Sequence, residues 1–224
     1  MVDQMIIMLT HDDVTVKAAA DLFEENKDIP IKKWGFKNVG MEPGKMKELC
    51  ASMNAAGKDT FLEVVTYSEE ECMQGARLAV ECGFKYLIGT LYYDSVMNYV
   101  KTTNLKYMPF VGEVKGSPSV LGGSLESMLD QEAKFAEAGC FGTDLLGYRY
   151  AEGDPGKLSA NYIKSAKLPV VLAGSIGSEE RIKLVKGMNP WAFTMGSALF
   201  TGNFVKAGSF RDNLVYVVDL LKTL

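Results

Sequence analysis

The chain has 224 residues, 47% of them hydrophobic and 23% charged, with a formal net charge of −4. That balance suits one globular domain with a sizeable core and leaves no basic footprint for nucleic acid or an anionic membrane. The N-terminal apolar run Met5–Leu9 is too short for a signal-peptide core and lacks a basic leader, and no run approaches a membrane span. A cytoplasmic protein is expected. Cys50, Cys72, Cys82 and Cys140 are scattered with no CxxC pair, and there is one histidine, so a Cys/His zinc site is not expected and the thiols read as reduced and partly buried.

Taken in order, apolar strands alternate with amphipathic helices. The first strand is Met5–Leu9, followed by Thr10-His11-Asp12-Asp13 and a helix from Val14 to about Glu25. The second strand, Ile31–Val39, sets Trp34 and Phe36 against Lys33, Gly35 and Lys37. In a barrel the bulky apolar set faces the helices, which turns Lys37 inward near the C-terminal rim. A helix over Pro43–Ala56 has proline at its first turn and stops at Gly57. Thr60–Val65 is the third strand. Ser68-Glu-Glu-Glu71 opens a helix that ends at Cys82 before Gly83. Then come a strand at Tyr86–Thr90, a helix at Asp94–Thr102 and a strand at Tyr107–Val111.

Gly116–Gly123 is the stretch richest in Gly, Ser and Pro, a candidate lid over a barrel mouth. The next helix carries a core stripe at Leu125, Met128, Leu129, Ala133 and Ala136. The sixth strand is Gly142–Leu146 and its helix is Lys157–Ala166. Two further strands, Val170–Ala173 and Ala192–Met195, each end in Gly-Ser and flank one helix capped by Ser178. A short helix at Ser197–Phe200 follows. A last helix with Phe210, Leu214, Val217, Val218 and Leu221 on one face closes the chain. Eight strands alternating with helices and no dividing linker predict an α/β fold, a (β/α)8 TIM barrel in a single domain over residues 1–224.

Ala173-Gly-Ser-Ile176 and Met195-Gly-Ser-Ala-Leu-Phe200, one βα unit apart near the chain end, resemble the phosphate-binding turns of the ribulose-phosphate-binding barrel superfamily. In a barrel the turns after strands seven and eight, with the N-terminus of a short extra helix, form a phosphate site. Gly174, Ser175, Ile176, Gly196 and Ser197 are the predicted phosphate-binding residues. The superfamily's pentulose-phosphate decarboxylases and epimerases keep an acid with a nearby lysine on the third strand. Here Glu63 stands for the acid, but Val65 lies where the lysine would fall and no aspartate ends the first strand. Barrel aldolases place a Schiff-base lysine on the sixth strand, and this strand has none. The resemblance carries fold and phosphate site, not reaction.

Polar residues at C-terminal strand ends are the candidates for chemistry. They are Lys37, Glu63, Asp144, Glu113 and His11 as catalytic groups, with Lys115 and Arg149 for substrate. Glu63 sits in an apolar run, so burial would raise its pKa unless Lys37 holds it ionised. Glu63 or Asp144 would take a proton next to a carbonyl and Lys37 would stabilise the enediolate. No resident cofactor is expected. Glu113 with Glu63 or Asp144 could hold Mg²⁺. The reading is a lyase or isomerase acting on a small phosphorylated sugar or sugar acid. The alternatives are a non-catalytic barrel that senses a metabolite and a barrel that binds FMN through the same turns. A homodimer or larger is expected, with Trp191, Tyr92 and Tyr93 as apolar surface.

Overall fold

A computed structural model describes residues 1–224. Eight parallel strands form its centre: β1 (Met5–Met8), β2 (Lys33–Lys37), β3 (Asp59–Glu63), β4 (Tyr86–Ile88), β5 (Lys106–Met108), β6 (Thr143–Leu145), β7 (Val170–Leu172) and β8 (Ala192–Met195). They run in the sheet order β6-β7-β8-β1-β2-β3-β4-β5. The two ends meet through a parallel bridge between Phe110 and Asp144, with Asp144 N–H donating to the Pro109 carbonyl at 2.9 Å. The sheet thereby closes into a (β/α)8 barrel, which leaves no edge strand.

The helices are α1 (Ala19–Asn26), α2 (Pro43–Ala55), α3 (Glu69–Cys82), α4 (Asp94–Val100), α5 (Leu125–Ala138), α6 (Pro155–Ser165), α7 (Glu179–Met188), α8 (Ser197–Phe200) and α9 (Phe210–Thr223). Their ends follow local chemistry. Ser68, Ser124, Asp154 and Ser178 each accept a hydrogen bond from the backbone N–H three residues on, and Ser209 with Asp212 forms a capping box. Gly83 and Gly139 stop α3 and α5 in the left-handed conformation that glycine adopts freely. No helix is long and apolar enough to cross a membrane.

Strand alternation divides the interior into two cores. Trp34 and Phe36 point outward to the helices and meet Phe23 and Phe84 edge-on at 5.2 and 5.1 Å. Inside the barrel a second cluster holds Ile6, Met8, Phe61, Tyr86, Ile88, Met108, Val171 and Ala192. Gly35 makes room for it, because a Cβ there would lie 2.8 Å from the Phe61 Cβ. Phe61 stacks on Tyr86 at 4.3 Å, and Trp191 and Phe141 close the N-terminal end around them. Lys33 lies over Trp191, and Lys106 lies over Tyr86 and Phe141, at 4.8 to 5.0 Å.

Two segments depart from the sequence reading. Residues after β1 do not enter a helix at Val14. Thr10–His11 pairs antiparallel with Val14–Thr15, and α1 starts at Ala19. Asp12 and Asp13 both have positive φ (49° and 62°), the signature of a two-residue hairpin turn with the twist strands prefer. Gly116–Gly123 is likewise no open loop: Glu113–Lys115 pairs with Val120–Gly122 in a second hairpin beside the mouth. Trp191, Tyr92 and Tyr93 also correct an expectation. All three are only partly exposed: Trp191 packs against the interior plug, Tyr92 stacks on Phe135 at 4.7 Å, and the Tyr93 hydroxyl donates to the Tyr67 carbonyl. All four cysteines are buried and unpaired.

Candidate active site at the barrel mouth

The C-terminal end of the barrel opens into a cavity of about 310 Å³, at the low end of small-molecule sites. One wall is the pair of Gly-Ser turns. Gly174 (φ +98°) and Ser175 (φ +53°) place two successive left-handed residues after β7, which turns neighbouring N–H groups toward a common point. The N–H groups of Gly174, Ser175, Ile176, Gly177 and Gly196 donate to no protein acceptor. Those opening α8 are free by helix geometry. Gly196 is fixed by a close approach, since a Cβ there would lie 2.8 Å from the Thr10 carbonyl. Arg181 braces the turn by donating to the Ser175 carbonyl, with its guanidinium 4.4 Å from the Tyr148 ring centroid. Asn203, from the chain after α8, donates to the Gly177 carbonyl at 3.0 Å. An oxyanion is what such a wall of donors can hold.

The opposite wall carries the ionisable groups. Lys37 and Glu63 are register partners on β2 and β3, their Nζ and Oε1 atoms 3.9 Å apart. Lys37 donates a closer hydrogen bond, 2.8 Å, to Asp13 at the tip of the first hairpin. Thr15 locks this arrangement: its hydroxyl donates to the Lys37 carbonyl and accepts from the Lys37 N–H. Arg149, in the turn after β6, approaches Asp13 at 3.8 Å and the Ser119 carbonyl at 3.5 Å.

Environment pushes the carboxyls apart. Burial raises Glu63, Lys37 opposes that rise, Asp13 adds to it and Arg149 opposes it. Asp13 moves the other way: burial works to raise it, but the Lys37 hydrogen bond and the charges of Lys37 and Arg149 bring it below the usual carboxylate range. Asp144 alternates with Thr143 and Leu145, which face the helices, so it points into the barrel. Thr143 accepts from the Tyr162 hydroxyl and Leu145 belongs to the outer core. Asp144 is fully buried, and neither carboxyl oxygen has a partner. Burial, and then the charge of Glu63, drive its pKa well up against the pull of Lys37.

Of the sequence candidates, Lys37, Glu63 and Arg149 line the cavity with Gly174, Ser175, Ile176, Gly196 and Ser197. Asp144 lies outside its lining, but its charge interaction with Glu63 and Lys37 places it near them. Glu113, Lys115 and His11 are not brought together with them. Glu113 and Lys115 are the outward, exposed residues of the second hairpin, where antiparallel alternation sends Val114 inward instead. Glu113 therefore cannot join Glu63 or Asp144 around Mg²⁺, and no three His, Cys, Asp or Glu side chains are gathered to hold a metal ion. His11 stacks on Phe200 at 5.6 Å and faces Asp12 at 3.5 Å, outside the cavity lining.

The principal residue the sequence reading missed is Asp13. Its signal was present, a two-residue Asp-Asp turn between β-branched Thr10 and Val14-Thr15. Thr10 and Thr194 also line the mouth, and the Thr10 hydroxyl is buried without a partner.

Fold and mouth together define a TIM barrel with its polar groups at the C-terminal face, where barrels of this kind carry their sites. No family model matches the chain, and no curated protein does. Solved structures do. A cube-shaped protein cage designed by fusing symmetric oligomeric domains matches with TM-score 0.68 at 10% identity, over 98% of this chain and 71% of its own. Native KDPGal matches with TM-score 0.65 at 11% identity, over 97% and 92% of the two chains. A mandelate oxidase variant with (S)-mandelic acid matches with TM-score 0.63 at 12% identity, over 97% and 70%. Likeness at such identity establishes the fold.

Proposed function

We propose that this barrel is an enzyme of the ribulose-phosphate-binding type. It acts on a small phosphorylated sugar or sugar acid by proton transfer at the carbon next to a carbonyl, as a lyase or isomerase. One observation carries the reading: the donor-lined turns after β7 and β8 face the Lys37–Glu63 pair across a single cavity. A phosphate in the turns would fix the far end of the substrate and hold its carbonyl over Lys37, removing the entropy of finding that geometry. The Lys37 ammonium would then neutralise the enediolate oxygen. Glu63, whose pKa burial raises against the pull of Lys37, would exchange the proton with carbon. Burial raises the Asp144 pKa, which favours a role as acid over that of the initiating base. The likeness to native KDPGal supports this class at the level of fold.

A metabolite sensor would need the donor turns but has no evident use for the buried Asp144 carboxyl, whose oxygens have no partner, and such groups call for a functional reason. FMN could place its phosphate in the same turns, and a solved mandelate oxidase structure carries an FMN adduct on this fold. The lysine, the arginine and the two carboxylates in the cavity lining favour a small polar substrate over a flavin ring. Self-association as a homodimer or larger stays part of the proposal, to be read from molar mass by light scattering.

The test is deuterium incorporation from D₂O at the α-carbon of pentulose and hexulose phosphates, followed by NMR. Wild type should label a phosphorylated ketose and leave its unphosphorylated analogue untouched, and Lys37→Met should lose the activity. No labelling across the panel would remove the enzyme reading.

A further inference from the structure

Three cavities meet at the mouth. Beside the inner one lie two outer cavities, of about 570 and 200 Å³, and Asp13 and Ser119 are the residues common to all three. Both belong to hairpin tips, so the two tips stand between the inner cavity and its surroundings.

The tips are held in different ways. Thr15 ties the first hairpin to β2 and the residues after it. Its hydroxyl bonds the Lys37 backbone at 2.7 and 3.0 Å, and its N–H donates to the Val39 carbonyl at 2.9 Å. The roots of the second hairpin are equally firm: the N–H groups of Gly112 and Gly123 donate to the Gln131 and Glu152 side chains, and Val114 and Leu121 are buried beneath the ribbon. Its tip is not. No backbone hydrogen bond joins Gly116–Ser119 to another element. The ribbon behind the tip has three residue pairs, too few to fix its position unaided. Side chains fasten it instead. The Tyr67 hydroxyl, from the chain after β3, donates to the Gly116 carbonyl at 2.8 Å and shares a second 2.8 Å hydrogen bond with the Ser119 hydroxyl. Arg149 approaches the Ser119 carbonyl at 3.5 Å, a weaker contact. Ser119 is buried under these partners, whereas Gly116, Ser117 and Pro118 are exposed.

We propose that Gly116–Val120 is a flap whose opening admits ligand to the mouth, and that Tyr67 is the pin that sets how often it opens. The inference rests on the mouth being the ligand site and not on which reaction is performed there.

Tyr67 lines one of the outer cavities and is absent from the lining of the inner one. It can therefore govern passage without touching a ligand held against the Gly-Ser turns. A pin of this kind leaves a kinetic signature. Ligand enters and leaves through the same open form, and the pin fastens the closed form equally with and without ligand. Unpinning then raises both rates by one factor and leaves the affinity unchanged. A residue that contacted the ligand would change the affinity, and a purely structural one would change only the melting temperature.

Ribose 5-phosphate is the probe, with rates taken from NMR line shapes of the Gly174–Gly177 amides and tip mobility from ¹⁵N relaxation. In Tyr67→Phe, association and dissociation should both speed up by roughly three- to tenfold, the equilibrium weight of one ordinary hydrogen bond, with Kd within about twofold of wild type. Gly116–Val120 should become more mobile while Thr10–Thr15 stays as it is. If Tyr67→Phe melts early, Tyr93→Phe decides by the same pattern, because the Tyr93 hydroxyl braces Tyr67 through its carbonyl at 2.7 Å. A mobile tip with unchanged rates, a change in Kd alone, or a tip no more mobile than in wild type would overturn the flap and leave the proposed function standing. No binding of the probe to wild type would overturn the flap together with the phosphate site, whereas the deuterium test strikes the reaction alone.

Discussion

The two halves of the barrel interior are built on opposite principles. The N-terminal half is closed by Phe61, Tyr86, Phe141 and Trp191, with the ammonium groups of Lys33 and Lys106 over the outer aromatic faces. The C-terminal half, a few residues further along the same strands, holds Lys37, Glu63 and Asp144, plus polar atoms without partners at Thr10 and Asp144. One end maximises burial and the other tolerates groups that burial penalises. The contrast separates scaffold from site without reference to any relative, since a strand long enough to cross the barrel could have stayed apolar to its end.

Substitutions at the two ends should therefore differ in kind. The largest stability effect is expected from Phe61→Ala in the plug. It should cost about 3–5 kcal/mol in urea unfolding, as a buried Phe-to-Ala truncation does, while leaving phosphate affinity close to wild type. Lys37→Met comes next, toward the lower end of the about 3–5 kcal/mol that breaking a buried ion pair costs, because Asp13 stays half-exposed and solvated. It leaves Glu63 and Asp13 facing each other without a cation. The loss should shrink as pH falls and the carboxyls take up protons, which denaturation at pH 7 and pH 4 would reveal.

Asp144→Asn should work in the opposite sense. Folding raises the Asp144 pKa well above the 3.8 near which the unfolded chain releases the proton. The stability tied to that proton is complete below the unfolded pKa and is lost as pH rises toward the folded one. Asparagine carries no such penalty, so the variant should match wild type near pH 3.5. Its advantage should grow by up to about 1.4 kcal/mol per pH unit above that until the folded Asp144 ionises. A variant uniformly less stable at every pH would mean that Asp144 is held by contacts its burial does not reveal. Asp13→Asn should have the smallest effect, within about 1 kcal/mol, the usual scale for an exposed ion pair. Its folded pKa is lowered, so whatever it contributes is present above about pH 3.8 and fades as pH falls. Thermal melts at pH 7 would measure it.

The barrel was legible in the chain because the strand and helix periods are strong and the caps are explicit: Ser68, Ser178 and Pro43 mark their helices as local chemistry requires. The alternation of Trp34 and Phe36 against Lys33, Gly35 and Lys37 also held the key to which side of β2 faces inward. The two hairpins at the mouth were not read. Asp12-Asp13 resembles a helix cap as much as a turn, since aspartate suits both, and only pairing of Thr10–His11 with Val14–Thr15 distinguishes them. Glu113 and Lys115 looked like strand-end residues because Gly112 (φ +87°), which swings the chain into an antiparallel ribbon, leaves no periodic trace. Local propensity shows where a strand ends, but not where the chain turns next.

The central claim is that the turns after β7 and β8 form one anion site, and amide NMR of ¹⁵N-labelled protein titrated with inorganic phosphate tests it directly. The resonances of Gly174–Gly177 and Gly196–Ala198 should shift together with a single saturating affinity. Those of Phe61 and Tyr86 in the plug should stay still, and Ser197→Asp should weaken the response more than about tenfold, or ~1.4 kcal/mol. Shifts confined to one turn, shifts elsewhere on the surface, or an unchanged affinity in Ser197→Asp would contradict the account.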